Sequence, residues 1–129
     1  MTDVSNDDPR LWAVRGAVQV DRNEADAILS ATGELMRELI SRNDLEPDRM
    51  VSCIFTCTDD LDAQFPAVAA RELGLDHVPL LCAREIDVPG AMERVIRVIV
   101  YYYAARDHEP AHAYLGEARR LRADLHSAQ

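Results

Sequence analysis

Arg97 stands inside the apolar run VIRVIV at residues 95–100. On a strand it shares a face with Val95, Ile99 and Tyr101. A cation in such a setting needs an anion, because burying it unpaired costs on the order of several kcal/mol. Two partners fit: a protein carboxylate in a structural salt bridge, or an anionic ligand. The residues alone leave both open. Arg15, in LWAVRGAVQV, is flanked on its own face by Ala13, Ala17 and Gln19. Small neighbours leave room for a ligand beside a long side chain, although a solvated strand position fits equally. Glu85 and Cys82 follow or end the apolar stretch VPLLCA, where strand ends often open on a site. Arg71 and Tyr114 complete the candidates, each with an ordinary surface or packing role as its simplest explanation.

What is missing narrows the chemistry. No Ser-His-Asp arrangement, glycine-rich phosphate loop or paired-carboxylate motif occurs. All 14 basic residues are arginine. Without lysine there is no Schiff-base amine and no phosphate-loop lysine. Any anion site must therefore use guanidinium groups, whose planar fork suits carboxylates. The pattern points to binding, or to a reaction driven by positioning and charge stabilisation. The three cysteines, Cys53, Cys57 and Cys82, are odd in number. With an acidic, polar N-terminus unlike a secretory signal, they read as reduced thiols of a cytoplasmic protein. Cys53 and Cys57 on one strand face would lie about 13 Å apart, too far to share an ion. The four histidines show no ligand spacing, so no metal site is expected.

The elements that must position these residues are readable in the 129-residue chain, which suits one domain. A net charge of −9 argues against nucleic acid, and no apolar run is long enough to span a membrane. Residues 1–10 read as a disordered lead-in and 11–125 as the domain, with a flexible tail over 126–129. Strands are expected at 11–20, 50–58, 78–82 and 93–104. Asp21 and Glu24 have capping-box spacing before a helix to about residue 41, whose apolar stripe includes Ile28, Leu35, Met36 and Leu39. A short helix is expected over 65–73, with Pro66 in its first turn and Gly74 as its stop. Residues 112–125 fit either a helix or a strand. Alternating elements imply an α/β or α+β fold, a mixed sheet covered by helices on one face. Its other face and edges would need protection, for which oligomer formation is a common solution.

Taken in order, VRGA, FPA with an arginine soon after, VPLLCAREIDVPG, IRVIVYY and AYLGEARRLRADL resemble the AroH-type chorismate mutases. The most specific pieces are RGA at Arg15, TDDLDAQFPAVAARELG, and CAREIDVPG followed by IR. The resemblance covers residues 12–125. It implies a homotrimer with a pseudo-α/β-barrel core, sites between adjacent subunits, no cofactor, and conversion of chorismate to prephenate. It implies that Arg97 contacts the substrate ether oxygen, Arg15 and Tyr114 bind carboxylates, and Glu85 with the Cys82 region holds the ring hydroxyl. Phe65, Ala67 and Arg71 match a wall from the neighbouring subunit. Leu80, Leu81 and Leu121 match pocket lining, and Arg122 an arginine of the C-terminal tail. Val68 and Leu81 depart from a lysine and a threonine that can occur at these places. The alternatives are a Rid-like enamine/imine deaminase, another small trimer with an interfacial arginine, and a non-catalytic trimeric carboxylate-binding protein.

Overall fold

The computed structural model describes residues 8–121. Five strands make one mixed sheet: β1 (Arg10–Gln19), β2 (Met50–Cys57), β3 (Leu80–Arg84), β4 (Val95–Ala104) and β5 (Ala113–Leu115). Their order is β3-β2-β4-β1-β5. β4 runs antiparallel to both β1 and β2, while the outer strands pair in parallel, β3 with β2 and β5 with β1.

Helix α1 (Ala25–Asn43) and the short α2 (Ala67–Glu72) cover one face. The covering follows from alternation. Val14, Phe55, Val98 and Val100 point inward and are fully or almost fully buried against Ile28, Leu35, Met36 and Leu39 of α1. Gly16 allows α1 to lie this close. A Cβ there would sit 2.9 Å from Leu35 Cδ1 and 3.0 Å from the Ala113 carbonyl oxygen. Among the described residues the opposite face carries no α-helix; the 3-10 turn Gly116–Arg119 covers one end of it, Ala118 packing on Ala17 and Val95, while Ile54, Ile99 and Tyr101 are only half-buried there.

Several boundaries differ from expectation for identifiable reasons. Arg10 opens β1, pairing with Ala104, so it is not part of a lead-in. Asp21 and Glu24 do not form a capping box: Glu24 is the N-cap without a side-chain cap, and its carboxylate takes the Arg22 guanidinium at 2.8 Å. Pro66 is the N-cap of α2, which starts two residues later than the spacing suggested. β3 begins only at Leu80, because Val78 closes a turn onto the Leu75 carbonyl. β4 begins at Val95 because Arg94 has φ 53°, in the left-handed region. The ambiguous C-terminal stretch is β5 followed by a 3-10 turn, Gly116–Arg119. Buried Asn43 fixes β5 in place, donating to and accepting from the backbone of Ala111. The expected tail at 126–129 lies outside the described residues.

Candidate active site

Strand register lines up the uncovered face. Tyr114, Ala17, Arg97, Thr56 and Ala83 form one transverse row across all five strands. Two residues along lies a second row: Arg15, Ile99, Ile54 and Leu81. Thus Arg15 and Arg97 sit diagonally on adjacent strands of one face, as their positions in the two rows require. Leu81 is on this face too and is 61% exposed. Tyr114 packs its ring with Ala17, Val95 and Ala118, in a small apolar cluster that Leu121 also touches.

Glu85 lies just past β3, its backbone N–H donating to the Cys57 carbonyl at 2.9 Å. Its carboxylate reaches back over the row. Glu85 Oε2 lies 3.0 Å from Arg97 Nε, a close ion pair without the alignment of a hydrogen bond. The same oxygen accepts a hydrogen bond from the Thr56 hydroxyl. The two neighbours of Oε2 leave Oε1 without a side-chain partner among the described residues. On the arginine the ion pair uses Nε, and the two terminal nitrogens form no hydrogen bond among the described residues. The mid-strand cation thus has a protein partner and still presents its fork. Thr56 is the residue the sequence did not single out. Its one signal was a polar side chain alternating with Phe55 and Cys57 in an apolar strand.

A second group gathers elsewhere. Cys82 pairs in register with buried Phe55 and packs on the helix-covered face, as does Leu80. With Cys57, Leu61, Phe65 and Pro66, Cys82 lines an open cleft of about 400 Å³. Phe65 is 66% exposed, an unusual state for a large aromatic ring. Arg71 is exposed near the end of α2, while Ala67 is buried in the main core beneath that helix. The structure therefore brings Arg15, Glu85, Arg97 and Tyr114 to the open face and places Cys82 with Phe65 on the other side of β3. It does not bring the two groups together within one chain. Arg122 lies outside the described residues.

The Cys57 thiol is not a poised nucleophile. Burial pushes the Cys57 thiol up to about 11, with Cys82 and Glu85 adding to the rise. Among the described residues no three His, Cys, Asp or Glu side chains group as a metal would need. No helix among them is long and apolar enough to cross a membrane.

A guanidinium fork beside a half-engaged carboxylate, on the sheet face away from α1 and α2, has the chemistry to bind an anion that also carries a hydroxyl. Comparison with known proteins gives the family. The model of type I chorismate mutases matches residues 11–125. The chain is 44% identical over 118 residues to chorismate mutase AroH of Thermus thermophilus, covering 90% of this chain and 97% of that one. It is 37% identical over 117 residues to chorismate mutase AroH of Bacillus subtilis, covering 89% and 92%. Its fold matches a chorismate mutase from Clostridium thermocellum with a TM-score of 0.80 and 45% identity, over 84% of this chain and 98% of that one. The chain belongs to the type I chorismate mutase family. That membership sets aside the deaminase alternative.

Proposed function

We propose that this isomerase turns chorismate into prephenate at a site built from the open face of one subunit and the Phe65 cleft of the next. The observation that carries the proposal is Arg97, a mid-sheet cation whose Nε pairs with Glu85 while its two terminal nitrogens hold no partner among the described residues.

Chorismate is a dianion with an enolpyruvyl ether and a ring hydroxyl. In the Claisen-type rearrangement one C–O bond breaks and one C–C bond forms within a single molecule. Nothing in that step calls for a protein nucleophile. The site must hold the compact conformer and meet negative charge growing on the ether oxygen. The Arg97 fork can span the ether oxygen and a carboxylate. Arg15, diagonal to it, anchors a carboxylate, and the Tyr114 hydroxyl reaches one as well. Glu85 Oε1 accepts from the ring hydroxyl and fixes the ring's orientation.

The two groups of residues face opposite sides of β3 within one chain, which supports a site shared between copies. A cyclic homotrimer brings the Phe65, Ala67, Arg71 wall and the Cys82 cleft of one copy to the open face of the next. It also covers Ile54, Ile99 and Tyr101, half-buried on that face. Leu80, Leu81 and Leu121 then line the pocket, with Arg122 near its mouth. Chorismate and prephenate are the ligands, and the place of work is the cytoplasm.

The test follows chorismate absorbance with purified protein and identifies the product chromatographically. Conversion to prephenate at micromolar enzyme is the expected result. Undiminished chorismate would overturn the proposal.

A further inference from the structure

Thr56 and Thr58 lie two residues apart, at the end of β2 and just past it, and their hydroxyls do different work. Thr58 Oγ1 accepts the Val95 N–H at 3.0 Å and donates to Asp60, so it is spent on the backbone where β4 begins. Thr56 has no such backbone duty. Its hydroxyl donates to Glu85 Oε2, across the strand boundary from its own register partner Ala83. Ala83 is small, which leaves space above Thr56 for the Glu85 side chain to fold back from two residues further on. The β-branched threonine is stiff at χ1 in a strand, so its hydroxyl is a fixed donor rather than a wandering one. A hydrogen bond to an ionised carboxylate is among the stronger kinds.

We infer that Thr56 is a positioning residue for the mutase reaction. It pins Glu85 Oε2 beside Arg97 Nε and thereby turns Oε1 toward the substrate hydroxyl. The inference rests on the proposed role of Glu85, since among the described residues the Thr56 hydroxyl hydrogen-bonds only to that carboxylate. Arg97 alone does not hold Glu85 in this pose. The 3.0 Å ion pair lacks hydrogen-bond alignment, and the carboxylate can rotate about it. Thr56 supplies the second point that fixes the plane.

The test compares Thr56→Val, which keeps shape and loses the hydroxyl, with Thr56→Ser, which keeps the hydroxyl. Each is made in the native chain and in the Glu85→Gln chain, and kcat, KM and thermal midpoint are read. Thr56→Val should lower kcat about tenfold, the scale of one lost charge-assisted hydrogen bond. The thermal midpoint should stay close to native, and Thr56→Ser should recover most of the rate. In the Glu85→Gln background the valine substitution should change kcat less than about twofold, because the coupled partner is already altered. An equal loss in both backgrounds, or a native rate for Thr56→Val, overturns the inference. Should the valine variant not fold, Thr56→Ala is read by the same comparison. A native enzyme that leaves chorismate untouched overturns the mutase proposal and this inference with it. A native enzyme that works beside an equally fast Thr56→Val overturns the inference alone.

Discussion

At the scale of single residues, the central matter is a cation in an apolar sheet. Arg97 gives one nitrogen to Glu85, and its two terminal nitrogens hold no partner among the described residues, the pair proposed to meet the substrate. Lysine cannot divide its charge in this way, since it presents one compact ammonium. Arg97→Lys should therefore lower kcat/KM by at least about a hundredfold, the scale seen on losing one oxyanion donor. Replacement by the neutral isostere citrulline should be as damaging, and stopped assays of prephenate formation would measure both. Near-native turnover with citrulline would mean that charge at this position is not what speeds the reaction. Cys57 offers a second check. Its thiol is pushed up to about 11, so at pH 8 about one molecule in a thousand carries the thiolate. The neutral thiol prevails below that value and the reactive anion above it. Alkylation of Cys57 by iodoacetamide, followed by peptide mass spectrometry, should rise about tenfold per pH unit from 8 to 10 and level off above about 11. Rapid modification at neutral pH would contradict the burial that raises it.

Among the elements, β1 and α1 carry the tightest constraint. The Cβ of an alanine at Gly16 would press on Leu35 Cδ1, which can turn aside, and on the Ala113 carbonyl oxygen, which is backbone. Gly16→Ala should cost about 1–3 kcal/mol, as overpacking does, and urea unfolding would read it as a lower midpoint at unchanged slope. The long strands and α1 were legible because their apolar periods of two and 3.6 extend over many residues. β5 was not, because three residues carry no period. Its place is set from afar, by Asn43 gripping Ala111 and by His112 Nδ1 accepting the Arg15 N–H at 3.0 Å. The start of β4 was hidden for a similar reason. The Asp60 carboxylate holds the backbone N–H of Arg94 at about 3 Å, in a left-handed turn that an arginine does not announce. Of the site, Arg97 stood out as a charge among aliphatic residues. Thr56 did not, since threonine is an ordinary strand residue and only the fold shows what its hydroxyl meets.

For the whole molecule, the open face decides the behaviour. Ile54, Ile99 and Tyr101 form a half-buried apolar field where a solitary sheet would carry polar residues. In the proposed trimer a charge placed at its centre would be buried against the cleft side of the neighbouring subunit. Ile99→Glu should therefore give a single-chain mass in light scattering and abolish turnover, with far-ultraviolet circular dichroism retained. A trimer that persisted and stayed active would place the subunit contact elsewhere.

The two faces of β3 have a genetic corollary. In the proposed trimer, Arg97→Ala and Phe65→Ala would each inactivate the enzyme while damaging different sides of one shared boundary. Co-expressed, the two defective alleles should complement one another. In that proposed assembly every mixed trimer would have one boundary at which an undamaged open face meets an undamaged cleft. Random assembly from equal amounts would then restore about a quarter of all sites. Two alleles broken on the same face, such as Arg97→Ala with Glu85→Ala, would restore none.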